Sequence, residues 1–181
     1  MKPFMIRARH VLLALPLACL TGGATPQAGT SLATEIVNAH NESRASTRPP
    51  PKPALPPLSW SPDAARVAQA WARQCRFEHN EKRGPYGENL AAAAPPGSKT
   101  HAQVVKDWAA ESADYSYSSN SCKPGKVCGH YTQVVWRNTT QVGCATVTCS
   151  KNSPFGARFP TWQLWVCDYT PPGNYVGQKP Y

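Results

Sequence analysis

Along the first two thirds of the chain apolar residues return every three or four positions, and in the last third they crowd into short β-branched and aromatic runs. Leu32, Ile36 and Ala39 share one side of a helix over 31–44, with Ser31 placed to cap it. A second helix starts at Ser61, with Pro62 in its first position and Asp63 in its first turn. Val67, Trp71 and Cys75 then recur every fourth residue as its expected buried face, and His79 stands one step further, at or just past its end. A third helix is expected over 98–113, with Val104, Val105, Trp108 and Glu111 across one side. Between the second and third helices, Gly84, Pro85 and Gly87 mark a loop leading into Glu88, Asn89 and Leu90, followed by an alanine and proline segment ending at Gly97.

Residues 131–136, 142–149 and 161–169 read as antiparallel strands separated by polar breaks. Helices followed by strands argue for an α+β layered domain. The stretch 47–58 holds six prolines, which deny the chain both helix and internal ladder bonds, so it is an extended connector.

The start of the chain has a different logic. Lys2, Arg7 and Arg9 precede an apolar run over 11–20 and the small residues Gly22, Gly23 and Ala24, the layout of a secretory signal peptide over 1–24. Residues 25–30 are then a short linker to a domain over 31–181. The run is shorter than the roughly 20 apolar residues that span a bilayer, and no later run is longer, so no transmembrane segment is expected. Secretion to an extracellular or periplasmic space follows. Cys19 adds an alternative, a lipid anchor of bacterial lipoprotein type, although Pro16 disturbs the aliphatic position before it.

Setting Lys2, Arg7 and Arg9 aside lowers the formal charge from +9 to +6. No arginine-rich run or interleaved aromatic stripe accompanies that charge, so nucleic acid is not an expected partner, and the basic surface reads as a solvated one. Six cysteines remain beyond Cys19: Cys75, Cys122, Cys128, Cys144, Cys149 and Cys167. An even number behind an export signal predicts three disulfides, chosen from about 15 pairings. Cys122 and Cys128 bracket the turn residues Lys123, Pro124, Gly125 and Lys126 and can close on each other. Cys144 and Cys149 are an odd number of positions apart on one strand, leave opposite faces, and need different partners. Alternation alone does not say which of them reaches Cys75 and which Cys167.

The segment 129–139, GHYTQVVWRNT, is similar to the first signature of the CAP superfamily (cysteine-rich secretory proteins, antigen 5, pathogenesis-related 1), and the chain resembles its plant pathogenesis-related 1 branch. VCDYTPPGNY at 166–175 resembles the second signature, with Trp165 and Asp168 standing where other residues are usual. HNESR at 40–44, CRFEHN at 75–80 and GENL at 87–90 complete the match. The resemblance implies a three-layer α-β-α sandwich around a small antiparallel sheet, with Cys75 paired to Cys149 and Cys144 to Cys167. It also implies a central cleft made by His79, Glu88, Glu111 and His130. There His79 and His130 can ligate Zn²⁺, while the carboxylates orient the rings or act as bases. The same four groups, bonded to one another, can equally serve as structural ties between elements. His40, Asn41 and Arg44 are expected in a structural hydrogen-bond network, and His101 has no matched role.

Tyr115 and Tyr117 lie where some relatives bind sterols or other lipids, although Cys122 occupies a position where a further aromatic residue is expected. No GxSxG elbow is present and every domain cysteine is assigned to a bridge, so no nucleophile presents itself. The leading expectation is a monomeric, secreted, non-enzymatic protein that binds a lipid, a sterol or a cell-surface partner. The alternatives are a zinc-dependent hydrolase or peptidase with Glu88 or Glu111 as base, and a cell-envelope lipoprotein anchored at Cys19.

Overall fold

The computed structural model describes residues 31–181. The expected signal segment 1–24, the linker 25–30 and the anchor at Cys19 lie outside the described residues. Helix α1, Leu32–Ala45, is capped by Ser31, whose hydroxyl accepts from the Thr34 amide. Helix α2, Pro62–Ala72, is capped by Ser61 through the Ala64 amide at 3.1 Å. Helix α3, His101–Ala110, opens on a reciprocal Thr100–Gln103 capping box and runs into a 3₁₀ turn, Glu111–Asp114. Its ordered start is therefore later than the pattern from Ser98 suggested.

Strand β1 (Ser59–Trp60), β2 (Gly87–Ala93), β5 (Gln141–Cys149) and β6 (Trp162–Thr170) form one sheet in the order β1-β5-β6-β2. Its long pairings are antiparallel, and the two-residue β1 joins β5 in parallel. Short strands β3 (Tyr115–Ser116) and β4 (Ser121–Cys122) form a separate hairpin.

Both faces of the sheet are covered. Cys144, Trp165, Cys167 and Tyr169 pack with Ile36, Val104 and Trp108 of α1 and α3 on one side. Leu90, Ala145, Leu164 and Val166 pack with Ala68 and Ala72 of α2 on the other. This is the three-layer arrangement, and it explains why β6 is buried nearly throughout instead of alternating. Three disulfides staple it: Cys75–Cys149, Cys122–Cys128 and Cys144–Cys167. Cys144 lies directly opposite Cys167 in the β5–β6 register, while Cys149 leaves the other face and meets Cys75 beyond α2.

Three expectations are corrected. Residues 131–136 are not a strand: Gly129–Val134 form helix α4, followed by a turn. Tyr131 and Val134, three apart, both reach the core shared with α1 and α3, and that packing overrides their β propensity. The alanine segment after Gly87 is strand β2, held in register with β6 from Gly87↔Tyr169 to Ala93↔Gln163. The buried face of α2 is the alanine row Ala64, Ala68 and Ala72; Val67 and Trp71 are only half-buried and line an open trough of 500 Å³. The small face lets α2 lie almost against the sheet. A β-carbon on Gly143 of β5 would stand 2.2 Å from the Ala65 nitrogen and 2.3 Å from the Ser61 carbonyl oxygen.

Candidate functional site

The polar residues singled out in the sequence form two His–Glu pairs at the β2 edge of the sheet. Glu88 is on β2, its side chain almost wholly enclosed, and its Oε1 accepts from His79 Nδ1 at 2.8 Å and from the Asn80 amide at 2.9 Å. His79 itself lies in the loop after α2 with more than half of its side chain exposed. Glu111 begins the 3₁₀ turn after α3 and accepts from His130 Nδ1 at 2.6 Å. Its other oxygen takes the amides of His130 and Tyr131, both at 3.1 Å. Cys128, at the N-cap of α4, makes no side-chain cap, so Glu111 satisfies the first amides of that helix from another element. The His130 ring lies parallel to Trp108 at 6.0 Å.

In each pair the carboxylate accepts from Nδ1–H, so that in the neutral ring Nε2 is the acceptor nitrogen. Successive residues of β2 link the pairs. Glu88 faces the α2 side, and Asn89 faces the other, where its amide donates to the His130 carbonyl and to the Tyr169 hydroxyl, each at 3.1 Å. From there a directed chain of hydrogen bonds runs to α1. Tyr169 O–H donates to His40 Nε2 at 2.9 Å, and His40 Nδ1–H donates to the Ile36 carbonyl at 2.8 Å. Complete burial drives the His40 pKa down to about 4, so the ring is the neutral tautomer this chain requires. Arg44, also buried, donates to the carbonyls of Pro56, Val134 and Trp136, tying α1 to the connector and to the end of α4.

A family model described as the cysteine-rich secretory protein family, CAP, matches residues 37–169. The chain belongs to the CAP family. It is 43% identical over 145 residues to pathogenesis-related protein 1A1 of Solanum lycopersicum, covering 78% of this chain and 72% of that one. It is 38% identical over 174 residues to human peptidase inhibitor 16, covering 94% of this chain but only 37% of that longer protein. The solved structure of venom allergen-like protein 4 of Schistosoma mansoni matches with a TM-score of 0.66 and 27% identity, over 84% of this chain and 94% of its own.

Within this CAP domain the two glutamates are fully used as acceptors on their His-facing sides. Among the described residues, no group of three or more His, Cys, Asp and Glu side chains is arranged to hold a metal ion. The histidines thus meet the orienting requirement of a zinc site but supply one ring nitrogen each, short of a closed protein site. A cavity of 600 Å³ is lined by His79 together with Trp71, Arg76, Glu78 and Lys82, but not by His130.

The two tyrosines separate in role. Tyr117 stacks on Tyr181 at 4.5 Å, bonds its backbone oxygen, and is covered by Lys179. Tyr115 donates to Asn120 at 2.6 Å, packs on Tyr131, and lines a 310 Å³ cavity with Thr132, Trp136, Asn174, Tyr175 and Gln178. His101 accepts from Trp165 Nε1 at 3.0 Å, a tie between α3 and β6.

Asp168 was noted in the sequence only as a departure from the usual signature. In the fold it is completely buried on β6, directly opposite Glu88, and neither of its oxygens has a hydrogen-bond partner. Burial first, then the charge of Glu88, raises its pKa to about 8 against the opposing pull of Arg83. The signal available beforehand was an acidic residue inside the otherwise apolar run LWVCDY.

Proposed function

We propose that this CAP protein is a secreted, non-enzymatic binding protein that receives an apolar or amphipathic ligand, of sterol or lipid class, at the Tyr115 cavity. One observation carries the reading. Tyr115, Trp136 and the exposed Tyr175 put three aromatic rings on the wall of the 310 Å³ cavity, among polar groups that include Asn120, Thr132 and Asn174. Aromatic walls with a few polar groups between them are what a site for an amphipathic ligand presents. Export agrees with the leader pattern at 1–24 and with three disulfides. Catalysis gains no support from the glutamates, because Glu88 accepts two hydrogen bonds on one oxygen and has the other sealed from solvent, and Glu111 accepts three. The experiment is binding of a fluorescent sterol and a fluorescent fatty acid to the wild type, Tyr175→Ala and Tyr117→Ala. Binding weakened about tenfold in Tyr175→Ala and kept in Tyr117→Ala supports this surface. No binding of either probe by the wild type overturns it.

A second reading rests on the two acceptor nitrogens, His79 Nε2 and His130 Nε2, whose rings are oriented by carboxylates. A Zn²⁺ ion taken by such a nitrogen would complete its shell with water or an anion. Zinc calorimetry decides: heat lost in both His79→Gln and His130→Gln supports it, and heat unchanged in both removes it.

A further inference from the structure

Glu88 and Asp168 stand directly opposite each other on β2 and β6 and point to the same face of the sheet. Glu88 Oε1 is engaged by His79 and Asn80, but Glu88 Oε2 and both oxygens of Asp168 are sealed from solvent without partners. Two ionised carboxylates in that position would repel and would each forgo a hydrogen bond. The neighbours do not relieve them. On the other side of Asp168 the register places Gly143 of β5, which has no side chain, beneath the Ser61–Ala65 turn of α2. The charged group of that turn is the exposed Asp63. Tyr169 turns to the opposite face, toward His40 and Asn89. Arg83, whose charge only partly offsets theirs, donates to the Tyr86 and Asn80 carbonyls instead.

A single proton removes the repulsion and pairs two of the three orphan oxygens. We propose that Asp168 is kept as a neutral carboxylic acid whose O–H donates to Glu88 Oε2, a clasp that fixes Glu88 and through it His79, and that opens when the proton leaves. Closed, the clasp joins edge strand β2 to β6 by a side-chain bond and holds the His79 loop in place. Opened at alkaline pH, two facing anions push β2 outward and free His79. Asp168 is thus a positioning residue, and its proton sets the pH range in which the β2 edge is rigid. The raised pKa of Asp168 agrees with this placement. The inference stands apart from the ligand reading above and survives or fails without it.

The test uses the intact protein with ¹³C-labelled aspartate, following the Asp168 carboxyl by NMR from about pH 5 to about pH 10. A protonated carboxyl throughout the neutral range, titrating far above the ordinary aspartate value of ~3.9, is expected. An ionised Asp168 at about pH 6 overturns the clasp. Asp168→Asn supplies a permanent amide donor of the same shape. Its melting temperature should gain on the wild type by about 5 °C between about pH 6 and about pH 9. Parallel melting curves for the two proteins would also overturn it. If the variant does not fold, the wild-type titration decides alone.

Discussion

Gly143 on β5 lies so close beneath Ala65 of α2 that a β-carbon there would come within 2.2 Å of the Ala65 nitrogen. The obstacle is backbone, which no rotamer change can move aside. Gly143→Ala should therefore lift the first turn of α2 from the sheet and cost about 2–3 kcal/mol, at the upper end for overpacking. Urea denaturation measures it, and a loss under about 0.5 kcal/mol would mean that the contact yields easily.

Glu111 supplies the acceptor for two amides at the start of α4 and for His130 Nδ1. Glu111→Ala strands those donors and should cost about 2–3 kcal/mol, whereas Glu111→Gln keeps one carbonyl acceptor and should cost roughly half as much. If the two variants denature alike, the carboxylate's acceptor role is not what holds α4.

These two contacts show where the sequence was readable. Ser31 and Ser61 were legible as caps because a cap is local, a hydroxyl and an amide three residues apart. The strands around Cys144 and Cys167 were legible from composition, and their opposed faces from alternation. Helix α4 was not, because its apolar residues are strand formers and its amides are satisfied by Glu111, 19 and 20 positions away. The buried face of α2 was not legible either, because Ala64, Ala68 and Ala72 recur every fourth residue just as Val67, Trp71 and Cys75 do. Close approach to Gly143 selects alanines, and Val67 and Trp71 are turned outward. For the His–Glu pairs the family motif drew attention to the four residues. Nothing in their spacing could indicate that consecutive residues of β2 would serve opposite faces of the sheet, nor that Asp168 would meet Glu88.

The disulfides should differ in worth by loop length. Cys122 and Cys128 are 6 positions apart and Cys75 and Cys149 are 74 apart. By chain entropy, replacing the first pair with serines should cost about 2 kcal/mol and the second about 4–5 kcal/mol. Denaturation of the two double variants gives the order, and equal losses would show that native contacts outweigh the loop term.

His40 and Asp168 make opposite demands on pH. His40 has a folded pKa of about 4 against 6.5 for the free ring, so the unfolded chain takes up that proton first. Its contribution is complete above about pH 6.5 and is lost as pH falls toward 4, about 3 kcal/mol over the window. Asp168 has a folded pKa of about 8 against 3.8, so its contribution is complete below about pH 4 and is lost as pH rises through 8. Between about pH 4 and 6.5 the two slopes cancel, and above 6.5 only the fall due to Asp168 remains. The wild type should therefore hold nearly constant stability from these groups on the acid side and weaken toward pH 8. His40→Asn removes one slope, so relative to the wild type it should gain stability steadily as pH drops from 6.5 to 4. Chemical denaturation at four or five pH values measures the gap between the two proteins. A gap that does not change with pH would mean that burial does not hold His40 neutral.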